Sequence, residues 1–342
     1  MLPAMPPLFT PRNLFDTPKQ RATAWVDRHS ISAPGVRDGR IETGHGFGRL
    51  AVAPNAIWVT NAASRTVVRI NGRTGQISNS ADLRRRPVSF ALGNEAIWVL
   101  CSNGWLWRFQ PSGEGEGVAR LEDGVRGLAC DRGSVWALHA NGHLAGVDQA
   151  TGETTTEAKI RRGGGQLLCA DGVLVALSAN GSVACRIGPG GEVEAEAKLP
   201  ARGVRAALHE GTLWVASGRR LGPKWGTLVP VDLAAMTLGA PPQLPSAPRA
   251  IAAGAGHIWV ACGDRGEKKS SIVRVDPSSG EVTPWAESEW TIYDLAVSDG
   301  QLLAATGLAL AGPGAGMAEG VAGAGHHGGH HGGGGEGGGG GN

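Results

Sequence analysis

The chain has 342 residues and nearly balanced charge, with 32 basic and 30 acidic side chains that give a formal net charge of +2. A general nucleic-acid binder carries a clear excess of basic residues. No apolar run is long enough to span a membrane, and the N-terminal residues lack the uninterrupted apolar region of a signal peptide. We therefore expect neither a nucleic-acid partner nor a membrane span.

The first segment, residues 1–21, is rich in proline and carries several basic side chains. We expect an N-terminal arm that lies on the outside of the folded domain or on a partner, with disorder as the alternative. Two strand-like segments, 24–27 and 40–43, follow without an obvious partner strand nearby in the sequence.

From about residue 47 onward, a unit of about 40 residues recurs along the chain. Each copy has a strand of small residues, a second strand centred on a large apolar residue, a polar gap, and a third strand followed by a turn. This period matches a four-stranded propeller blade, whereas no copy shows the 3.6-residue periodicity of helical repeats. The central position is occupied by Trp58, Trp98, Trp136, Leu174, Trp214, Trp259 and Leu303.

Recurring residues within the unit predict how each blade is built. A tryptophan strand with large side chains on both faces is expected to pack between neighbouring blades. Three Asn-Gly pairs, beginning at Asn103, Asn141 and Asn180, predict two-residue hairpins, because both residues tolerate positive φ. The third strands carry a recurring arginine at Arg69, Arg108, Arg186 and Arg274.

The last copy supplies two inner strands and then stops near Gly312, so its outer strands are missing. Segments 24–27 and 40–43 have the character of a third and a fourth strand. The sequence therefore predicts an all-β, seven-bladed β-propeller over residues 22–311, closed by a composite blade from both ends of the chain. A six-bladed or open ring with a decorating strand is the alternative.

Residues 312–342 are dominated by glycine, alanine and histidine, which predicts a flexible tail because such a segment buries too little apolar surface to order itself. Imidazole nitrogens bind nickel, copper and zinc. No carboxylate or cysteine fixes a geometry around these histidines, so we expect a tether and no cofactor, with weak divalent metal binding as the alternative. The candidate ligands are His326, His327, His330 and His331.

The five cysteines occur at strand positions where small apolar residues fit, and no two form a Cys-x-x-Cys pair. An odd number at such positions predicts buried free thiols. Because free thiols persist in a reducing compartment, we expect the protein to be cytoplasmic.

Arginines recur at the start of the innermost strand in several copies. Arg49 and Arg205 lie nine residues before the central tryptophan of their copies, and Arg126 and Arg249 lie ten residues before theirs. A ring should bring these four to one mouth of the central channel, where converging guanidinium groups would bind a phosphate or a carboxylate. The alternative is that they are solvated or paired with nearby carboxylates.

The segment Pro248-Arg-Ala-Ile-Ala-Ala-Gly-Ala-Gly-His-Ile-Trp-Val-Ala, followed by Ile272-Val-Arg-Val-Asp-Pro-Ser-Ser-Gly-Glu-Val, resembles the blade unit of the streptogramin B lyase (virginiamycin B lyase-like) propellers. The resemblance covers about residues 47–311. It implies a propeller and a magnesium-dependent lyase that opens a cyclic depsipeptide ester with a Glu-x-His pair. Here no histidine follows a glutamate at that spacing.

The nearest approximation to that pair is Asp27-Arg-His29, which lies outside the regular copies, while His209 and His257 are candidates for a further histidine. The segment Ala96-Ile-Trp-Val-Leu-Cys-Ser-Asn-Gly-Trp is also similar to tectonin repeats. That second resemblance implies binding of carbohydrate or of a protein partner.

Other catalytic signatures are weak. The sequence has no phosphate-binding glycine loop and no nucleophile elbow, and His139 and His143 flank one hairpin without an identifiable third zinc ligand. We therefore predict a non-catalytic binding or scaffold module whose arginine-lined mouth takes an anionic ligand or a protein partner. A metal-dependent lyase and a structural subunit of a larger assembly are the alternatives.

Overall fold

The computed structural model describes residues 23–30, 40–45, 48–93, 96–122, 124–131, 133–160, 163–200, 202–218, 226–264, 269–298 and 300–307, of which 23–30 and 40–45 are described by their backbone alone. The regular secondary structure of these residues is entirely β, which confirms the predicted class. The predicted arm, 1–21, and the predicted tail, 312–342, lie outside the described residues. The same is true of the candidate metal ligands His326, His327, His330 and His331.

The first two strands are β1 (Thr23–Ser30) and β2 (Arg40–His45). Blade 1 contains β3 (Gly48–Ala53), β4 (Ala56–Asn61), β5 (Thr66–Asn71) and β6 (Ile77–Asp82). Blade 2 contains β7 (Pro87–Leu92), β8 (Ile97–Cys101), β9 (Trp105–Phe109) and β10 (Gly115–Arg120). Blade 3 contains β11 (Val125–Cys130), β12 (Ser134–His139), β13 (His143–Asp148) and β14 (Thr154–Lys159).

Blade 4 contains β15 (Gly164–Ala170), β16 (Val173–Ser178), β17 (Val183–Ile187) and β18 (Val193–Lys198). Blade 5 contains β19 (Gly203–His209), β20 (Thr212–Gly218) and β21 (Gly226–Asp232), and its fourth strand is divided into β22 (Thr237–Leu238) and β23 (Gln243–Leu244). Blade 6 contains β24 (Pro248–Gly254), β25 (His257–Cys262), β26 (Ser270–Val275) and β27 (Val282–Ser288). Two further strands, β28 (Thr291–Ser298) and β29 (Gln301–Gly307), follow.

The blades are arranged around a common axis, because the innermost strand of each blade contacts the innermost strand of the next. This arrangement confirms the predicted β-propeller. Six blades are built from consecutive strands. Strand β28 contacts both β24 and β3, and its partner β29 pairs with β1, where Val26 lies opposite Ala305. The two ends of the described chain therefore share one antiparallel sheet.

The hydrophobic core consists of layers between neighbouring blades, as the tryptophan pattern predicts. Trp58, for example, packs with Ile97 and Val99 of the next blade. A buried tryptophan removes about 200 Å² from water, and at about 25 cal/mol per Å² this contributes up to about 5 kcal/mol. The tryptophans buried in this way are Trp58, Trp98, Trp136, Trp214 and Trp259.

The Asn-Gly hairpins differ from the predicted two-residue form. Of the first pair, Gly104 has a positive φ of 82°, and its N–H donates to the carbonyl of Cys101 at 3.0 Å. Asn103 instead accepts the N–H of Trp105 with its side-chain oxygen at 3.4 Å. The predicted two-residue form is wrong for this hairpin, because the turn from Cys101 to Gly104 ends in a single left-handed glycine.

Strand direction sorts the loops into two sets. Within each blade the innermost and third strands run antiparallel to the second and fourth. Loops that lead into the innermost and third strands therefore lie at one end of the ring, and loops that leave those strands lie at the other.

Candidate functional site

The end of the ring where the innermost strands begin is rich in exposed cations, and we call it the basic face. In blades 1 to 5 the exposed carboxylates in its described loops and at strand ends are Asp82 and Glu122. Glu157, two residues before the end of β14, is also exposed and lies 3.9 Å from His143. Blade 6 contributes Lys269 together with Glu287 and Glu289. The exposed cations of blades 1 to 5, in loops or at strand ends, are Arg65, Arg84, Arg85, Arg86, Arg120, Arg126, Lys159, Lys198 and Arg202.

The opposite end has the reverse charge, and we call it the acidic face. Part of its negative charge comes from aspartates that form turns after third strands: Asp148 Oδ1 accepts the N–H groups of Ala150 and Thr151 at 2.8 and 2.7 Å. These bonds, with that of Thr151 the stronger, lower the pKa of Asp148. The exposed carboxylates here are Glu114, Glu153, Asp171, Glu192, Glu210, Asp232 and Glu281, against one exposed arginine, Arg73, in the described part of this face. The small net charge therefore conceals a separation of charge between the two ends.

The predicted channel arginines all lie at the basic face, but they occupy two different positions in the innermost strand. Arg49 lies opposite Thr60, and Arg205 lies opposite Ala216. Thr60 and Ala216 each follow the central tryptophan of their blade by two residues. Asp294 pairs with Ala305 and so occupies the same position in β28. Sequence reasoning overlooked this aspartate, although it precedes Leu303 by the same nine residues that separate Arg49 from Trp58.

Asp294 is the electrostatic counterpart of two of these arginines. Its Oδ2 accepts the backbone N–H of Leu50 in the neighbouring innermost strand at 2.9 Å. Enclosure by the innermost strands raises the pKa of Asp294, while Arg49, the N–H of Leu50 and Arg205 oppose that shift. The positive charges of Arg49 and Arg205 therefore both act on one carboxylate of the chain itself.

Arg126 and Arg249 occupy the second position, which is a β-bulge in the innermost strand of their blade. Arg249 donates from Nε to the carbonyl of Gly263 at 3.1 Å, from Nη1 to Ser270 Oγ at 3.5 Å, and from Nη2 to the carbonyl of Asp264. Its guanidinium thus supports a loop of its own blade. Arg126 occupies a bulge of the same kind and is exposed.

A second polar contact joins innermost strands in the same manner as Asp294. Gln166 Nε2 donates to the carbonyl of Ala206 at 3.2 Å, and its Oε1 accepts the N–H of Ala206 at 3.1 Å. Ala206 and Leu50 hold the same register, since each lies opposite the valine that follows the central tryptophan. Side chains of a preceding blade therefore satisfy backbone groups on these inner edges.

Two of the third-strand arginines, Arg108 and Arg186, bond to their own blade and to the next. Arg186 Nε donates to Glu194 Oε2 at 2.9 Å, and its Nη1 donates to the carbonyls of Leu233 and Ala234 in the next blade at 2.6 and 2.9 Å. Arg108 makes the corresponding contacts in blade 2 and lies 5.7 Å from the ring centre of Trp98.

The candidate histidines separate between the two faces. His139 and His143 lie at the basic face with ring centres 5.3 Å apart, as their hairpin spacing predicts. His209 and His257 lie at the acidic face, where His257 Nδ1 is 2.8 Å from the carbonyl of Ala255. His29 falls where the backbone alone is described. Among the described side chains, no group of three or more histidine, cysteine or acidic residues is placed to hold a metal.

The cysteines are free thiols, as predicted. Cys101, Cys185 and Cys262 are buried, while Cys130 and Cys169 are half-buried in neighbouring innermost strands. Burial raises the pKa of Cys101 and of Cys169 to about 11 and that of Cys262 to about 12. These thiols are therefore protonated and unreactive at neutral pH.

The described residues contain no helix of the length and apolar character needed to cross a membrane. The sequence matches no protein-family profile and no curated protein. The structure is similar to the WD40 domain of Pan2 from Neurospora crassa, with 11% identity, 84% of this chain and 96% of that chain covered, and a TM-score of 0.62.

Two further solved structures are similar over most of their length. The WD40 repeats of RRP9 share 10% identity over 82% of this chain and 97% of that chain, with a TM-score of 0.61. BamB from Moraxella catarrhalis shares 14% identity over 80% of this chain and 89% of that chain, with a TM-score of 0.54. At these identities the likeness establishes the β-propeller fold alone.

Proposed function

We propose that this propeller is a non-catalytic binding module that presents its basic face, with the arginine-lined channel mouth at its centre, to an anionic ligand or an acidic protein partner. The observation that carries the proposal is the separation of charge between the two faces. A face of one charge sign raises the local concentration of an oppositely charged partner and steers its approach.

The channel mouth would take the most compact anionic group. The positive charges of Arg49 and Arg205 both act on Asp294, and a phosphate or carboxylate bound beside them would accept hydrogen bonds from these guanidinium groups. Arg249 would contribute its positive charge at a distance, since its donors serve the loop of blade 6. Arg126 would meet the part of the partner outside the channel.

Closure of the ring by a composite seventh blade belongs to the same proposal. Support comes from the pairing of β29 with β1 and of β1 with β2, and from the contacts of β28 with both β24 and β3. A closed ring holds Asp294 against Leu50 and thereby fixes the mouth. A cytoplasmic location is also proposed, and the free thiols support it.

A thermal-shift experiment on the full chain tests the channel mouth with inorganic phosphate, citrate and chloride as probes. An anion at about one hundred times its Kd should add about 2.7 kcal/mol of stability. We expect citrate or phosphate to raise Tm of the parent and to have a smaller effect on an Arg49→Ala, Arg205→Ala variant. A Lys159→Ala, Lys198→Ala variant controls for general loss of positive charge.

If an anion raised Tm of the Arg49→Ala, Arg205→Ala variant as much as it raised Tm of the Lys159→Ala, Lys198→Ala variant, the channel-mouth site would be contradicted. A shift with magnesium or manganese alone, removed by His209→Ala with His257→Ala, would instead favour the metal-dependent lyase that the repeat resembles. A structural subunit predicts a different result, in which deletion of residues 1–21 abolishes complex formation without a change in Tm.

A further inference from the structure

Blade 2 carries an exposed aromatic side chain at the basic face. Trp105 is 39% exposed and stands at the start of β9, directly opposite Arg120 at the end of β10. Its ring lies over Gly117, where atoms Cε3 and Cζ3 are 3.3 and 3.4 Å from the position a Cβ would occupy. One side of the ring therefore rests on the backbone of β10.

The arginine loop between blades 1 and 2 is bonded to the hairpin that carries Trp105. The carbonyl of Arg86 accepts the N–H of Ser102 at 2.8 Å, and Ser102 begins the turn that ends at Gly104. Arg84 and Arg85 precede Arg86 in the same loop, and all three side chains are exposed. The backbone therefore joins the arginine loop to the hairpin that leads into Trp105.

A second apolar side chain adjoins this loop. Val88 sits at the bulge of β7, two residues after Arg86, and is 36% exposed. We call the set Arg84, Arg85, Arg86, Val88, Trp105 and Arg120 the Trp105 patch. Exposed large apolar side chains beside cations are typical of protein-binding surfaces, in which aromatic residues and arginine contribute most of the affinity.

We infer that the Trp105 patch is the docking surface for an extended acidic segment of a partner protein, and that this segment carries an apolar anchor residue between its carboxylates. The inference rests on the proposed function, because it assigns the partner of the basic face. Charge complementarity favours carboxylates against Arg84, Arg85, Arg86 and Arg120, while Trp105 and Val88 require an apolar side chain between them.

A protein segment fits these features better than a nucleic acid does. Val88 offers an aliphatic contact that base stacking does not use, and Glu122 lies two residues from Arg120. The carboxylates of the acidic face also reduce the attraction of the whole molecule for a long polyanion. A single-stranded nucleic acid remains a measurable competitor, since arginine and tryptophan also form its binding platforms.

Fluorescence anisotropy of the full-length chain with labelled twelve-residue peptides tests the inference. One peptide contains glutamate and aspartate only, and the second has one central tryptophan. We expect the anchored peptide to bind about tenfold tighter than the plain one. Trp105→Ala should remove that advantage while leaving affinity for the plain peptide nearly unchanged, and Arg84→Ala with Arg85→Ala and Arg86→Ala should weaken both.

Matched variants separate the patch from general effects. Leu238→Ala removes another exposed apolar side chain, and Lys198→Ala with Arg202→Ala removes two exposed cations from the same face in blade 4. Val88→Ser provides a second, mild change within the patch, and unchanged circular dichroism and Tm verify that each variant is folded.

If Trp105→Ala and Val88→Ser behave like Leu238→Ala, the patch is not the docking surface, and the proposed function still stands provided that the plain peptide binds. If neither peptide binds the parent, both proposals fail together. Tighter binding of a twelve-nucleotide single-stranded DNA than of the anchored peptide would overturn the inference in favour of a nucleic acid.

Discussion

The carboxylate of Asp294 accepts the backbone N–H of Leu50 at 2.9 Å, and this bond joins β28 to β3 where the last part of the ring meets the first. Gln166 does the equivalent for Ala206 between blades 4 and 5. The innermost strand of a blade is an edge strand with unpaired backbone groups. A polar side chain from the preceding blade satisfies that edge and holds the two strands in register.

Replacement of Asp294 isolates the value of this bond. Asp294→Asn retains a side-chain oxygen that accepts the N–H of Leu50, whereas Asp294→Ala does not. We expect the asparagine variant to have a free energy of unfolding about 1–2 kcal/mol above that of the alanine variant. Urea denaturation with a constant m-value measures the difference. Equal stability of the two variants would mean that the bond contributes nothing.

The same aspartate predicts a pH effect of definite sign. Burial raises the pKa of Asp294 above its value in the unfolded chain, about 3.9. The folded state therefore binds the proton more tightly, and this contribution to stability is fully present below about pH 3.9 and is lost as pH rises through the folded-state pKa. The Tm of the wild type minus the Tm of Asp294→Asn should therefore increase when the pH is lowered from 7 to 4. A difference that is independent of pH would contradict the assignment.

Arg186 provides a test of how blades are joined at their outer strands. Its guanidinium bonds to Glu194 and to the carbonyls of Leu233 and Ala234, which lie in the next blade. Arg186→Ala should lower the free energy of unfolding by about 1.5–3 kcal/mol, because hydrogen bonds of charged groups are lost. Arg186→Lys should recover little of this loss, since an ammonium lacks the planar fork. Arg73→Ala, on the exposed acidic face, serves as the control for loss of a cation.

Pairing of the chain ends is open to a chemical test. Val26 and Ala305 are directly opposite in the β1–β29 ladder. Directly opposite residues of antiparallel strands have Cα atoms about 4.5–5.5 Å apart, which suits a disulfide. Val26→Cys with Ala305→Cys should cross-link under mild oxidation and raise Tm. Val26→Cys with Gln301→Cys should not, because Gln301 pairs with Ser30. Equal cross-linking of both variants would contradict the composite blade.

The sequence was informative about the fold because propeller geometry repeats local patterns. Buried tryptophans such as Trp58 and Trp259 mark the second strand of a blade regardless of the loops around them. The Asn-Gly hairpins show the limit of local rules, since Gly104 takes the left-handed conformation and Asn103 uses its side chain. Propensity alone does not distinguish these two loop forms.

The candidate site was predicted less completely, because it depends on which side chains meet across blades. Spacing placed the arginines at one end of the ring. It did not show that the guanidinium of Arg249 bonds to a loop of its own blade or that the charge of Arg49 acts on Asp294. Contacts between residues far apart in the chain are set by closure of the ring, and the separation of charge emerges when each loop is assigned to a face.

Binding of a labelled polyglutamate peptide to two charge variants of the full chain tests the central claim most directly. One variant reverses the basic face (Arg84→Glu, Arg120→Glu, Arg126→Glu), and the other reverses the acidic face (Glu153→Lys, Glu192→Lys, Glu281→Lys). The account predicts that the parent binds, that affinity falls between about 50 and about 200 mM salt, and that the first variant loses binding while the second keeps it. Equal affinity of the two variants, or no binding by the parent at low salt, would contradict a basic face that recognises acidic partners.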